Sequence, residues 1–130
     1  MAIQGRKNVH GKGGVRFKAP WTATREHAIQ RNIVTELIIH EKIIVTSGVV
    51  KKLIKNIDYL ITLAKKNTLS SRREAIRILR NEKTNNNIKV LNKLFNVLGP
   101  RFKDRNGGFT HQYKYINRRG DGAKQVIVSF

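Results

Sequence analysis

A glycine-rich, basic segment near the start of the chain, GRKNVHGKGGVRF at residues 5–17, has residue types suited to phosphate binding. Glycines let a backbone approach phosphate oxygens closely, and cationic side chains neutralise them. A nucleotide-binding P-loop has the pattern G-x-x-x-x-G-K-[ST], in which the Ser or Thr holds magnesium. Here five residues separate Gly5 from Gly11, and Gly13 follows Lys12. The segment therefore favours an arm that lies along nucleic-acid phosphates over a nucleotide site, with a solvated tail as the alternative.

Side chains that could act as catalysts or metal ligands are scattered along the sequence. The chain has no cysteine, and its four histidines form no H-E-x-x-H pattern. The eight acidic residues are dispersed, and no G-x-S-x-G stretch could present a serine nucleophile. The sequence thus predicts neither an enzyme nor a protein with a metal or another cofactor.

The charge balance points to a polyanionic partner. The 130 residues include 27 Lys and Arg against 8 Asp and Glu, for a net charge of +19, and the first acidic residue is Glu26. Such a charge destabilises a compact state by self-repulsion unless a polyanion neutralises it. No secretory signal and no apolar run of roughly 20 residues is present, so we expect a cytoplasmic protein with no membrane partner. Nucleic acid is the favoured partner on charge alone.

The elements that must position these cations follow from hydrophobic periodicity. Residues 1–20 lack it and are expected to form a basic extension, whereas residues 21–130 form one globular domain. Helical spacing of apolar residues is found in four stretches: 25–41, 47–66, 71–80 and 88–98. Ser71 and Glu74 fit an S-x-x-E capping box that would begin the third helix. Gly99-Pro100 is expected to end the fourth.

The remaining elements are predicted strands. Residues 42–47 are rich in β-branched side chains, and the stretches 109–118 and 123–130 alternate around an RRGDG turn, which predicts a hairpin over 109–130. The order helix, strand, three helices, two strands predicts an α+β fold of two layers, with a small sheet covered by helices on one face.

Cationic and aromatic side chains are both candidates for contacts with nucleic acid. The turn at 106–108 would hold Arg101, Lys103 and Arg105 outward as one phosphate-facing cluster. The helix at 71–80 would place Arg73, Arg77 and Arg80 on one side, as phosphate contacts or as an ordinary solvated stripe. Aromatic side chains that could stack on bases are Trp21, Phe109, Tyr113 and Tyr115, although aromatics that alternate along a strand are more often core residues.

The run LFNVLGPRFKDRNGGFT at residues 94–110 resembles the L-F-N-x-L-G-P-R-F … R-x-G-G-Y-T segment of the bacterial large-subunit ribosomal protein L17 family. Further segments are similar to the family in the same order: 31–46, 60–66, 71–75 and 118–130. The resemblance covers about residues 21–130. The family's basic start is replaced here by a longer segment of the same character but without its motif.

The resemblance implies the same order of elements and a structural role without chemistry. It implies binding to the large-subunit rRNA near the polypeptide exit tunnel, contacts with neighbouring large-subunit proteins, no cofactor and no homo-oligomer. The family pattern carries over at Arg31, Asn32, Arg72, Arg73, Arg101, Arg105, Gly107, Gly108, Arg118, Gly120 and Asp121. Charge and resemblance together give these candidate RNA contacts: Arg6, Lys7, Lys12, Arg16, Lys18, Arg25, Arg31, Asn32, Arg72, Arg73, Arg77, Arg101, Lys103, Arg105, Arg118 and Arg119. A small DNA-binding or nucleoid protein is the alternative that the charge alone equally permits.

Overall fold

The computed structural model describes residues 23–84 and 88–130, in which four helical segments accompany a three-stranded sheet. The elements are α1 (Ala23–His40), β1 (Lys42–Thr46), α2 (Ser47–Lys66), α3 (Leu69–Ile78), a fourth helical segment made of α4 (Val90–Lys93), a π-helical turn (Leu94–Leu98) and α5 (Gly99–Arg101), then β2 (His111–Lys114) and β3 (Gln125–Ser129). The predicted order of elements and the α+β class are confirmed. The predicted basic extension, 1–20, lies outside the described residues.

The helix α2 is the centre of the core. Its apolar residues recur at helical spacing, and Leu53, Ile57, Leu60 and Ile61 are each at most 1% exposed. This helix packs against α1, α3 and the π-helical turn, so that all the helical segments share one cluster of buried side chains. Burial of this apolar face is the main driving force for the fold.

The sheet is antiparallel, with the strand order β1-β3-β2. One face carries Ile43, Val45, Val126 and Val128, which belong to or pack against the core cluster. The helices therefore cover this inner face, as the sequence predicts for a two-layer fold. The opposite, outer face carries Ile44, Ile127 and Tyr113.

The start of α3 corrects the predicted capping box. Thr68 is the N-cap: the Ser71 backbone N–H donates to Thr68 Oγ1 at 3.2 Å, and the Thr68 N–H donates to Ser71 Oγ at 2.9 Å. Ser71 is thus the third residue of the helix and not its cap, and its hydroxyl has the role that Glu or Gln usually has in such a box. Glu74 instead pairs with Arg77 at 3.1 Å.

The predicted helix end at Gly99-Pro100 is also wrong, because the helix continues through both residues to Arg101. Proline in a helix removes one N–H and crowds the carbonyl four residues earlier. Here the helix widens just before the proline, and the Gly99 N–H reaches the Leu94 carbonyl, five residues back. A Cβ on Gly99 would lie 3.3 Å from the Ala64 carbonyl oxygen, so this glycine allows close packing on α2.

The predicted hairpin over 109–130 is confirmed by the antiparallel pairing of β2 with β3. Its first strand is shorter than predicted, beginning at His111. Phe109, which precedes this strand, is a core residue, as the sequence favours for aromatics that alternate along a strand, and it is 2% exposed. It meets Phe102 edge to face, with ring centroids 5.5 Å apart.

Candidate nucleic-acid interface

The segment between α5 and β2 holds the predicted loop cluster of Arg101, Lys103 and Arg105. Phe102 anchors this segment in the core, where it is 4% exposed and contacts the ring of Phe130. The guanidinium groups of Arg101 and Arg105 lie over the Phe102 ring, 5.4 and 5.9 Å from its centroid. Because such cation–π contacts hold the flat guanidinium against the ring, both arginines are oriented while they remain exposed.

The loop cluster is only partly neutralised by the protein. Arg101 Nη1 lies 3.0 Å from Glu41 Oε2, and Lys93 Nζ lies 3.0 Å from Glu41 Oε1. The hydrogen bond from Lys93, helped by Arg101, lowers the pKa of Glu41, although partial burial acts in the opposite direction. Within the two described ranges, Lys103 and Arg105 form no ion pair. These two cations are therefore available to external phosphates.

The hairpin turn carries a second set of cations, the turn cluster of Arg118 and Arg119. Arg118 Nε donates to Asp121 Oδ1 at 3.0 Å, and the same oxygen accepts from the Ala123 N–H at 3.2 Å. The Arg118 hydrogen bonds hold the pKa of Asp121 well below its usual range, and Asp121 raises the pKa of Arg118. Asp121 thus orders the turn and orients Arg118. Arg119 is exposed and forms no ion pair in the described part of the chain.

The predicted cations of α3 have different surroundings. Arg72 lies 5.1 Å from the Phe95 ring centroid, and its Nη2 donates to Asn67 Oδ1 at 3.0 Å. Arg77 pairs with Glu74, whereas Arg73 is exposed and has no ion pair among the described residues. The predicted stripe of arginines is shorter than expected, because α3 ends at Ile78 and Arg80 lies beyond its end.

Arg31 and Asn32 on α1 serve the end of α3. Arg31 Nε and Nη2 each donate at 3.1 Å, to the carbonyl oxygens of Ile78 and Leu79. Asn32 Oδ1 accepts from Arg80 Nε at 2.9 Å. These bonds satisfy carbonyls that the helix end leaves free, which is a packing role that spacing along the sequence does not reveal. Arg25, nearly two turns earlier on the helix, is exposed.

The structure places the loop cluster and the turn cluster at opposite ends of the sheet. Arg101 and Arg105 line a shallow cleft together with His111 at the start of β2. The turn cluster follows the other end of the same strand. The α3 arginines lie elsewhere on the helices. The predicted arm contacts, Arg6, Lys7, Lys12, Arg16 and Lys18, fall outside the described residues.

Two of the four aromatic side chains predicted as possible stacking partners are exposed on this sheet. Tyr113 and Tyr115 are open to solvent, against the sequence interpretation that alternating aromatics are core residues. Phe109, by contrast, is buried and cannot stack on a base, and Trp21 lies outside the described residues. Alternation alone could not separate the tyrosines from Phe109, because all three share one parity.

Other kinds of site find no support in the described ranges. No group of three or more His, Cys, Asp or Glu side chains is placed to hold a metal ion there. None of the helices described in residues 23–84 and 88–130 is long and apolar enough to cross a membrane.

Fold and surface define a small, strongly basic α+β protein with clusters of oriented, exposed arginines. Residues 29–130 match the model of the family described as ribosomal protein L17, and the chain belongs to that family. It is 44% identical over 107 residues to the large ribosomal subunit protein bL17 of Onion yellows phytoplasma, covering 82% of this chain and 91% of that one. It is 40% identical over 109 residues to the protein of the same name from Acholeplasma laidlawii, covering 84% and 92%. With that of Mycoplasma capricolum subsp. capricolum it shares 45% identity over 101 residues, covering 78% and 85%.

Proposed function

We propose that this protein is a structural constituent of the large ribosomal subunit and binds the large-subunit rRNA through its exposed cations. The role is architectural and not catalytic. The curated relatives carry the name of a large-subunit protein, and family membership covers most of the chain. The site of action is then the ribosome in the cytoplasm, next to other large-subunit proteins. The family resemblance adds a position near the polypeptide exit tunnel.

The observation that carries the proposal is the excess of cations that the fold orients but does not neutralise. Eight acidic side chains serve 27 Lys and Arg in the whole chain. Glu41 is engaged by Lys93 and Arg101, and Asp121 by Arg118, whereas Asp104, between Lys103 and Arg105, is exposed and forms no ion pair among the described residues. Lys103, Arg105 and Arg119 are likewise exposed and unpaired there, so the two clusters keep a net positive charge. Folded RNA suits such a surface, because proteins recognise A-form RNA largely through its shape and its phosphates.

The test compares binding of the full chain to large-subunit rRNA, small-subunit rRNA and duplex DNA over a salt series. We expect a preference for large-subunit rRNA that persists as salt rises. The double variant Arg105→Ala with Arg119→Ala should reduce the salt slope by roughly one unit per lost phosphate contact, about two in total.

A matched control removes the same charge from α2. Lys51 and Lys55 are exposed on that helix and form no ion pair in the described ranges. Lys51→Ala with Lys55→Ala should leave the slope nearly unchanged. Equal slopes for the two double variants would show that charge alone, and not these positions, drives binding. Equal affinity for all three nucleic acids, or a preference for duplex DNA, would contradict the proposal in favour of a general DNA-binding protein.

A further inference from the structure

We propose that the outer face of the sheet is a stacking platform for unpaired bases of RNA, with Tyr113 and Tyr115 as its stacking side chains. This inference rests on the proposed function, because it assigns a second kind of contact to the same RNA partner. The cations would bind phosphates, whereas the platform would bind base faces.

The strand register aligns the platform in three rows. Paired residues of neighbouring strands project to the same face. The rows across β1, β3 and β2 are Lys42–Ser129–His111, Ile44–Ile127–Tyr113 and Thr46–Gln125–Tyr115. The last row is closed by the Tyr115 N–H, which donates to the Gln125 carbonyl at 3.0 Å. His111, Tyr113 and Tyr115 thus form one aromatic column along β2 and the residue that follows it.

The platform is open to solvent, whereas the reverse face of the sheet is covered. Tyr113 is 56% exposed, Tyr115 is 43% exposed and Ile44 in the same middle row is 48% exposed. Neither Ile44 nor Ile127 packs against the core cluster that Ile43 and Val128 join. None of the described helices covers these side chains, because those helices pack on the inner face.

The spacing of the rings suits bases that are splayed apart and not stacked on one another. The ring centroids of His111 and Tyr113 are 6.5 Å apart and their planes differ by 33°. At about 3.4 Å per residue, the column from His111 to Tyr115 extends roughly 14 Å. Aromatic side chains in such an array accept any base, because every base has a flat π-face.

The charge of the platform and of its surroundings favours RNA as the ligand. None of the nine residues in the three rows is acidic, and Lys42 adds a cation. The aromatic column runs from the cleft lined by Arg101, Arg105 and His111 to the turn cluster that follows Tyr115. A strand whose bases stack on the column would therefore have its phosphates near arginines at both ends. An apolar surface of another protein would gain nothing from these cations.

The experiment replaces both tyrosines in the full chain and measures affinity for large-subunit rRNA, small-subunit rRNA and the other large-subunit proteins over a salt series. Tyr113→Leu with Tyr115→Leu keeps apolar bulk but removes the π-face, and Tyr113→Phe with Tyr115→Phe keeps the π-face. The matched control is Tyr59→Leu, since Tyr59 is 46% exposed but lies on α2. Because all three tyrosines are exposed, we expect every variant to fold, which circular dichroism and thermal melting would verify.

We expect the leucine pair to lose roughly tenfold in affinity for each lost stack, at an unchanged salt slope. The phenylalanine pair and Tyr59→Leu should bind as the unchanged protein does. If the unchanged protein prefers large-subunit rRNA and the leucine pair binds equally well, the platform is disproved while the proposed function stands. If the leucine pair binds RNA normally but loses a neighbouring large-subunit protein, the face is a protein interface and the inference is likewise overturned. If the unchanged protein shows no preference for large-subunit rRNA, the proposed function itself fails.

Discussion

At Glu41 the backbone leaves α1 with a φ of 61°, and one carboxylate receives two cations from distant parts of the chain. Lys93 lies on α4 and Arg101 at the end of α5, so the pairs connect both ends of the fourth helical segment to the start of the sheet. The Glu41 carbonyl also accepts from the Phe130 N–H at 3.2 Å. In a chain with so few acids, this residue both stabilises the fold and sets how much charge Arg101 presents.

Glu41→Gln should lower the free energy of unfolding by about 1 kcal/mol at neutral pH, because a partly exposed pair contributes modestly. The pKa of Glu41 is lowered in the folded state, so its contribution is fully present above the ordinary value of 4.5 and is lost as pH falls through the folded pKa. Urea unfolding over a pH series would check this. The two proteins should converge in stability at acidic pH, and a difference that stays constant with pH would contradict the ion-pair explanation. Glu36→Gln, which removes an exposed pair with His40, is the control and should change little.

At the scale of elements, the start of α3 contains two overlapping sequence patterns, each of which could cap the helix. Both Thr68-x-x-Ser71 and Ser71-x-x-Glu74 fit the spacing of a capping box, and only the former pair bonds reciprocally. The earlier start adds Leu69 and Ser70 to the helix and buries Ser71 to 4% exposure. The choice depends on packing against the rest of the molecule, which a local pattern does not contain.

Thr68→Ala should reduce the free energy of unfolding by about 1 kcal/mol, since it removes the N-cap acceptor. Glu74→Ala should cost far less, because Glu74 holds only an exposed pair with Arg77. Thermal and urea unfolding of both variants would measure the difference. A larger loss of stability for Glu74→Ala than for Thr68→Ala would contradict this assignment and support the Ser71–Glu74 capping box predicted from the sequence.

Hydrophobic periodicity predicted the long elements correctly, but it did not predict local structure that depends on tertiary packing. The apolar spacing of α2 predicted its core residues, and alternation predicted the hairpin. The glycine and proline at 99–100 misled, because their local preference for a helix end is overridden by close packing on Ala64. Among the candidate contacts, the internal bonds of Arg31 to the α3 carbonyls required the tertiary structure. The exposure of Tyr113 beside the burial of Phe109 required it equally.

At the scale of the whole molecule, the net charge of +19 needs a polyanion, and the fold decides how that charge is presented. The core uses few ionised side chains, chiefly the pair of Glu26 and Lys52, which joins α1 to α2. Most cations are left to the surface, with arginine clusters at the two ends of the sheet. This arrangement is suited to a protein that is stabilised by, and in turn stabilises, a folded RNA.

The most direct test of the ribosomal role is to follow the tagged full chain through sucrose-gradient sedimentation of a bacterial lysate. We expect the protein to sediment with large subunits and with whole ribosomes. It should remain there after a wash with raised salt and be absent from free small subunits. Recovery in the slowly sedimenting soluble fraction, with small subunits, or with DNA released by nuclease treatment would contradict the account.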